Sequence, residues 1–382
     1  MRKSGLVFSN QTVREIVHLS LGGPAIRVRF SNAFGGRPLE IGAAHVALRA
    51  SGSAIQASTD RALTFGGARG IWIPPNAVVA SDPVALGVPP GSDVAISIFF
   101  PHEAGGAGIH YLAQQTSYVG DGDATGAASM ERAREIHSWV FLAGVDVSGT
   151  PGASAIAFFG DSRIDGDGST PNANHRWPDF LAKRLAERGL PRGVVNAGII
   201  GNRILHDAPA GAVELGVSGL ARFDRDVLDV PGVKYVVVLE GIVDIGLPGT
   251  EYAPGSEAVS VEDLIAGMTQ LAERAHRRGM KAFVATQLPF RDANSIPGIF
   301  SPEKDAKRRA LNEWIRSSHV FDGVIDFDKA TRDPSDPKKF LAAYDSCDHL
   351  HPNDAGYKAM AESIDPALFK LGGAAPRTSS SR

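Results

Sequence analysis

Between Ile26 and Ile98 apolar and polar positions repeatedly alternate with a period of two. Ile26, Val28 and Phe30 are separated by Arg27 and Arg29, and Val94, Ile96 and Ile98 by Ala95 and Ser97. This is the pattern of a strand with one face in a core and one face out. Shorter runs such as Gly70-Ile71-Trp72-Ile73 stop at Pro74-Pro75. Strands separated by turn signals, with no sustained helical period, predict an antiparallel β-sandwich for this part of the chain. The Gly/Ala/Asp-rich stretch from Gly120 to Ala128 and the segment Gly149-Thr150-Pro151-Gly152 read as connections.

From Ser154 the pattern changes to alternating strand and helix. Ala155-Ile156-Ala157-Phe158-Phe159 is apolar throughout, as a strand buried on both faces must be, and it ends abruptly at Gly160-Asp161-Ser162. Trp177, Phe180, Leu181 and Leu185 then fall at helical spacing, and Gly189 closes that helix. Val194-Val195-Asn196, Tyr235–Leu239, Ala282–Ala285 and Val324–Phe327 predict four further strands. Helices are predicted after Ser260, after Ser301-Pro302 and after Asn353. Five strands alternating with helices imply a parallel sheet covered on both sides.

The chain is thus predicted to have a β-sandwich, jelly-roll-like leader over residues 1–148, an α/β domain over 149–371 and a small, polar, disordered tail over 372–382. Composition narrows the functional classes. With 382 residues, 43% hydrophobic and 21% charged, the chain is ordinary for a soluble globular protein. A net charge of −3 speaks against nucleic acid as the partner. The single cysteine, Cys347, allows no internal disulfide. No apolar run is long enough to span a membrane, and the basic Met1-Arg2-Lys3 is not followed by the apolar stretch of a secretion signal.

The candidate chemistry lies at the strand ends of the second half. A serine at the tip of a central parallel strand sits where open α/β sheets bind ligands, and a strand–turn–helix is one way to present a nucleophile. Alone, Gly160-Asp161-Ser162 is common and reads more simply as a capped loop in which Ser162 only hydrogen-bonds backbone. Two further clusters change that: Asn196-Ala197-Gly198-Ile199-Ile200-Gly201-Asn202 after the second strand, and Asp348-His349-Leu350-His351-Pro352 before the last helix. An Asp and a His three residues apart can meet on one turn of chain, so that the carboxylate fixes the imidazole and its other nitrogen faces a serine.

Gly160-Asp161-Ser162, Gly201-Asn202, Gly241-x-x-Asp244 and Asp348-x-x-His351 together resemble the four spaced blocks of the GDSL-type, or SGNH, serine hydrolases. Ser31-Asn32-Ala33-Phe34-Gly35 and Leu63-Thr64-Phe65-Gly66-Gly67 are similar to the β-rich leader of that family's secreted bacterial branch, which implies an exported protein. The resemblance implies a flavodoxin-like three-layer α/β/α domain. It also implies a metal-free esterase, without cofactor, acting on a small-molecule or carbohydrate ester and sometimes transferring acyl groups. Carried over by position, Ser162 is the nucleophile, His351 the general base and Asp348 its orienting carboxylate. The N–H groups of Ser162 and Gly201 form the oxyanion hole.

Three positions depart from the family pattern. Val243 stands where an Asn usually supplies a third oxyanion donor, Arg163 follows the nucleophile, and Cys347 replaces a Gly. Their grouping in the site blocks suggests a reshaped pocket, engineered or naturally specialised, with Arg163, Val243 and Asn202 on its wall. Arg163 would hold the oxyanion or an acidic substrate group there.

Other readings compete. Asp165-Gly166-Asp167-Gly168-Ser169 begins like a calcium loop but has Arg176 where a Glu is required. Asp345, Asp348, His349 and His351 form a possible metal set, which would make the protein a metal-dependent hydrolase. Cys347 beside His351 is a second conceivable nucleophile, though a small buried side chain is the simpler reading. The third class is a catalytically weakened carbohydrate-binding protein. In the leader, His110, Tyr111 and Trp139 are the polar-aromatic candidates, with core packing the expected role of each.

Overall fold

The computed structural model describes residues 6–105, 108–209 and 211–370; the 372–382 tail lies outside the described residues. In the leader, one antiparallel sheet runs in the order Arg134–Ile136, Ser117–Asp121, Gln11–Leu19, Ser92–Phe100, Ala43–Ser51, extended by short strands. A second has Gly23–Ser31 between Val84–Val88 and Leu142–Ser148. Ile26, Val28 and Phe30 on one sheet pack with Val94, Ile96 and Ile98 on the other in a single core, while Arg27 faces solvent. The period-two pattern therefore falls where a two-sheet sandwich needs it.

Ala95 and Ser97, expected on a solvent face, are buried instead. Arg14, on the neighbouring strand, explains the difference. Its guanidinium donates to Ser97 Oγ (2.8 Å), to the Ser53 carbonyl (2.7 Å) and to the Ala127 carbonyl (2.7 Å), holding a loop over the back of the sheet.

The second half forms a parallel sheet in the order Arg192–Gly198, Ser154–Gly160, Val233–Leu239, Lys281–Ala285, Gly323–Ile325. The chain starts at the second position and turns back, so a topological switch lies beside Ser154–Gly160. Alternate residues of each strand feed opposite cores. Ala157, Phe159, Val236 and Val238 face the helices Val261–Arg277 and Pro302–Ser317. Ile156, Phe158, Tyr235 and Val237 face Trp177–Glu187 and Asp354–Ser363. Trp177 sets its edge on Phe158 at 4.5 Å between ring centroids. The predicted three-layer α/β/α architecture is the one observed. At the sheet's centre a Cβ on Gly160 would lie 1.9 Å from the Leu239 carbonyl oxygen, so only glycine lets these strands converge at the tip that carries Ser162.

Capping shapes two local features, and at the first it overrides the predicted strand Val324–Phe327. The fifth strand ends at Ile325 because the Asp326 side chain accepts from the Lys329 N–H and starts a helix, Phe327–Thr331. The turn after Ser162 is itself helical, Ser162–Asp165, with Asp161 accepting from the Arg163 N–H at 2.9 Å. Among the described residues no helix is long and apolar enough to cross a membrane.

Candidate active site

Ser162 is the first residue of its helical turn and is 6% exposed. Its Oγ lies 2.8 Å from His351 Nε2, and His351 Nδ1 lies 2.5 Å from Asp348 Oδ2. These two contacts join side chains 189 positions apart into one hydrogen-bonded line. The Asp348 Oδ1 atom accepts from the Leu350 and His351 N–H groups at 2.9 and 2.8 Å and from Ser346 Oγ at 3.0 Å. Partial burial alone would raise the Asp348 pKa. The His351 contact and these donors outweigh it and hold the carboxyl well below the usual range.

Burial would push the His351 imidazole down, but the Asp348 hydrogen bond and the charges of Asp167 and Asp348 outweigh it, so its pKa lies above the ordinary histidine value. Asp167 is a neighbour that spacing did not single out for this role. Its Oδ2 lies 3.7 Å from His351 Nε2, on the same side as Ser162. Its main chain is pinned: the N–H donates to the Ser162 carbonyl at 3.0 Å, and the carbonyl accepts from Tyr357 Oη at 2.6 Å. The residues were in view in Asp165-Gly166-Asp167, which begins like a calcium loop and fails as one at Arg176.

Gly201 has φ +68°, the left-handed region that favours glycine. On either side of it, the Ile200 N–H donates to Asp165 Oδ2 (3.1 Å) and the Asn202 N–H to the Ile199 carbonyl (3.1 Å). The N–H groups of Ser162 and Gly201 donate to no protein acceptor among the described residues. Val243 lies in the short helix Ile242–Gly246 that follows Gly241, and it joins the apolar core. The Asp244 carboxylate of that block accepts from the Ile204 and Leu205 N–H groups at 2.8 and 3.1 Å; burial outweighs these bonds and pushes its pKa up to about 7.

Two residues expected on the pocket wall lie beneath it. Arg163 is fully buried, with Nε donating to the Leu350 carbonyl at 3.1 Å, so it braces the loop that carries His351 instead of meeting substrate. Burial lowers its pKa to about 10, which leaves it cationic at neutral pH. Asn202 is also buried. Its Nδ2 donates to the Leu215 and Val217 carbonyls, and its Oδ1 accepts from Arg222 Nε at 2.8 Å. Arg222 further donates to the Ala197 and Gly160 carbonyls (2.7 and 2.9 Å), tying the tips of two adjacent parallel strands together.

The residues of the metal alternative pair off, His349 with Asp345 and His351 with Asp348. Among the described residues no three His, Cys, Asp or Glu side chains group as ligands. Cys347 is exposed, contrary to the buried reading, and has φ +77°. That conformation is the physical reason a glycine suits the position. In the leader, Trp139 Nε1 donates to the Ile16 carbonyl at 3.0 Å and Tyr111 is exposed. His110 reaches out of the leader to Asp165, 2.7 Å away.

A family model described as GDSL-like lipase/acylhydrolase matches residues 158–359. Among solved structures, a lipolytic protein of the G-D-S-L family from Desulfitobacterium hafniense is 20% identical, with 55% of this chain and 97% of that one covered, at a TM-score of 0.40. A lipase/acylhydrolase from Enterococcus faecalis is 19% identical, with 55% and 92% covered and a TM-score of 0.40. An acetyl xylan esterase is 19% identical, with 55% and 96% covered and the same score. No curated protein matches the chain.

Two predictions follow from this geometry. His351 titrates above the ordinary value of about 6.5, and Asp167→Asn, which removes a facing negative charge, lowers that midpoint. An NMR titration of the imidazole reads it, and an unchanged midpoint in the variant contradicts the assignment. Cys347→Gly relieves a left-handed cost of about 1–2 kcal/mol, less about 0.4–1 kcal/mol for the freer unfolded glycine. Denaturant melts should show a net gain between zero and about 1.6 kcal/mol, and a loss of stability contradicts the strain at this position.

Proposed function

Because the chain belongs to the GDSL-like lipase/acylhydrolase family, we propose that it is a serine esterase working through an acyl-enzyme on Ser162. The observation that carries the reading is the line from Asp348 through His351 to Ser162, with contacts of 2.5 and 2.8 Å. Serine is inert at its own hydroxyl pKa and needs a base in hydrogen-bond contact. With Nδ1–H donating to Asp348, the lone pair of Nε2 faces Ser162 Oγ and takes its proton as the oxygen attacks the ester carbonyl. Negative charge then develops on the carbonyl oxygen, and the free N–H groups of Ser162 and Gly201 stabilise it. His351 passes the proton to the departing alcohol. Water, activated by the same nitrogen, releases the acid and restores Ser162. The scheme calls on no metal or cofactor.

The substrate class is a small ester: aryl, short-chain acyl or sugar-acyl. Val243 replaces a donor with an apolar side chain, which weakens oxyanion stabilisation and dries the site. A drier site favours an alcohol over water as acyl acceptor, giving acyl transfer beside hydrolysis. The leader over residues 1–148 and the hydrolase domain over 149–371 are part of the same proposal.

Turnover of a chromogenic short-chain ester tests it in three proteins. The unmodified chain should be active, and Ser162→Ala should lose a factor on the order of 10⁶ in kcat. Val243→Asn should gain toward the roughly 10²–10³ that one oxyanion donor is worth. Activity that survives Ser162→Ala overturns the nucleophile, and no gain in Val243→Asn overturns the missing-donor account.

A further inference from the structure

The leader reaches the site through a short hydrogen-bonded relay. His110 lies in a two-residue strand, Ile109–His110, paired with Trp139–Val140, and the Trp139 ring lies 5.7 Å from the imidazole. The His110 Nε2 atom is 2.7 Å from Asp165 Oδ1. Asp165 closes the helical turn that Ser162 opens, and it is only 3% exposed. Its other oxygen, Oδ2, accepts from the Ile200 N–H at 3.1 Å. Ile200 immediately precedes Gly201.

A buried carboxylate is tolerated only when its oxygens are satisfied, and a misplaced one moves whatever it holds. Here one oxygen is held by the leader and the other holds the loop whose next N–H is free. We propose that His110 is a positioning residue for the oxyanion loop: it fixes Asp165, and through the Ile200 amide it fixes the direction of the Gly201 N–H. This rests on the reading of Gly201 as an oxyanion donor.

The surroundings support a dedicated relay. Arg176 is the other charge facing His110; its Nε donates to the Asp165 main-chain carbonyl at 3.1 Å, leaving the carboxylate to His110 and Ile200. The neighbouring segment is braced separately. The Asn172 N–H donates to the Gln114 carbonyl at 2.9 Å, and the Thr116 N–H to Asn172 Oδ1 at 2.7 Å. Loss of the imidazole therefore removes the relay and leaves the leader docked.

The test compares His110→Ala, His110→Gln and Asp165→Asn in the full chain. Ångström-scale misplacement of a reacting group costs up to about 10²-fold in rate. His110→Ala should lose roughly tenfold or more in kcat on a short-chain ester, with KM nearly unchanged. His110→Gln, which keeps an N–H near the Nε2 position, should recover most of that loss. The His110→Ala/Asp165→Asn double variant should be no worse than the poorer single one, because both cut the same relay. The Ile200 and Gly201 amide resonances should shift in His110→Ala, a readout independent of turnover. Unmoved amide resonances, full kcat in His110→Ala, equal impairment in the Ala and Gln variants, or additive losses each overturn the proposal. If the unmodified chain turns over no ester while the amides still shift, the esterase reading fails and the link between leader and loop stands.

Discussion

A neutral imidazole carries one proton and one lone pair, and the group bonded to one nitrogen decides what the other can do. In this protein Asp348 makes that choice. Its carboxylate is saturated by two main-chain N–H groups, a serine hydroxyl and His351 Nδ1, so it has neither freedom to turn nor reason to take up a proton. The proton stays on Nδ1, and Nε2 faces Ser162. The tight turn over 345–351 serves this geometry, and Cys347 and His349 both adopt positive φ to complete it.

Around that line the buried charges act as braces. Arg163 holds the turn that carries His351, Arg222 holds two strand tips and Asn202, and Asp244 holds the segment after Asn202. Removing one partner of a buried ion leaves it uncompensated and costs about 3–5 kcal/mol. Each brace thus has few alternative positions. Glu240 is the contrast: it is fully buried beside Asp161, 4.0 Å from Arg222, and burial raises its pKa well above the usual range.

Much of this is legible in the sequence because strands, glycines and caps obey local rules. The apolar run into Gly160, the alternation of Ile26, Val28 and Phe30, and the caps Ser260, Ser301 and Asn353 each need only their neighbours to be read. Ser162 and Gly201 stand out because each sits in a short block just after a strand, and Asp348 and His351 because they share a block just before the last helix. Depth is what spacing does not carry. Arg163 and Asn202 lie in those blocks, yet their side chains turn inward, since a buried main-chain carbonyl attracts a nearby donor more strongly than an open cleft does. Asp167 and His110 are hidden for the opposite reason: their partners are remote in sequence, and only the folded chain brings them together. Val324–Phe327 shows a competing rule, with one capping Asp326 overriding an apolar run.

The central claim is that Asp348 and His351 make Ser162 a nucleophile. Intact-mass and peptide-mass analysis after exposure to an alkyl fluorophosphonate tests it most directly. The account predicts one adduct per chain, located on Ser162, forming in Asp348→Asn slower by a factor on the order of 10⁴. An adduct on Cys347 or any other side chain, or a labelling rate indifferent to the loss of the Asp348 charge, would contradict it.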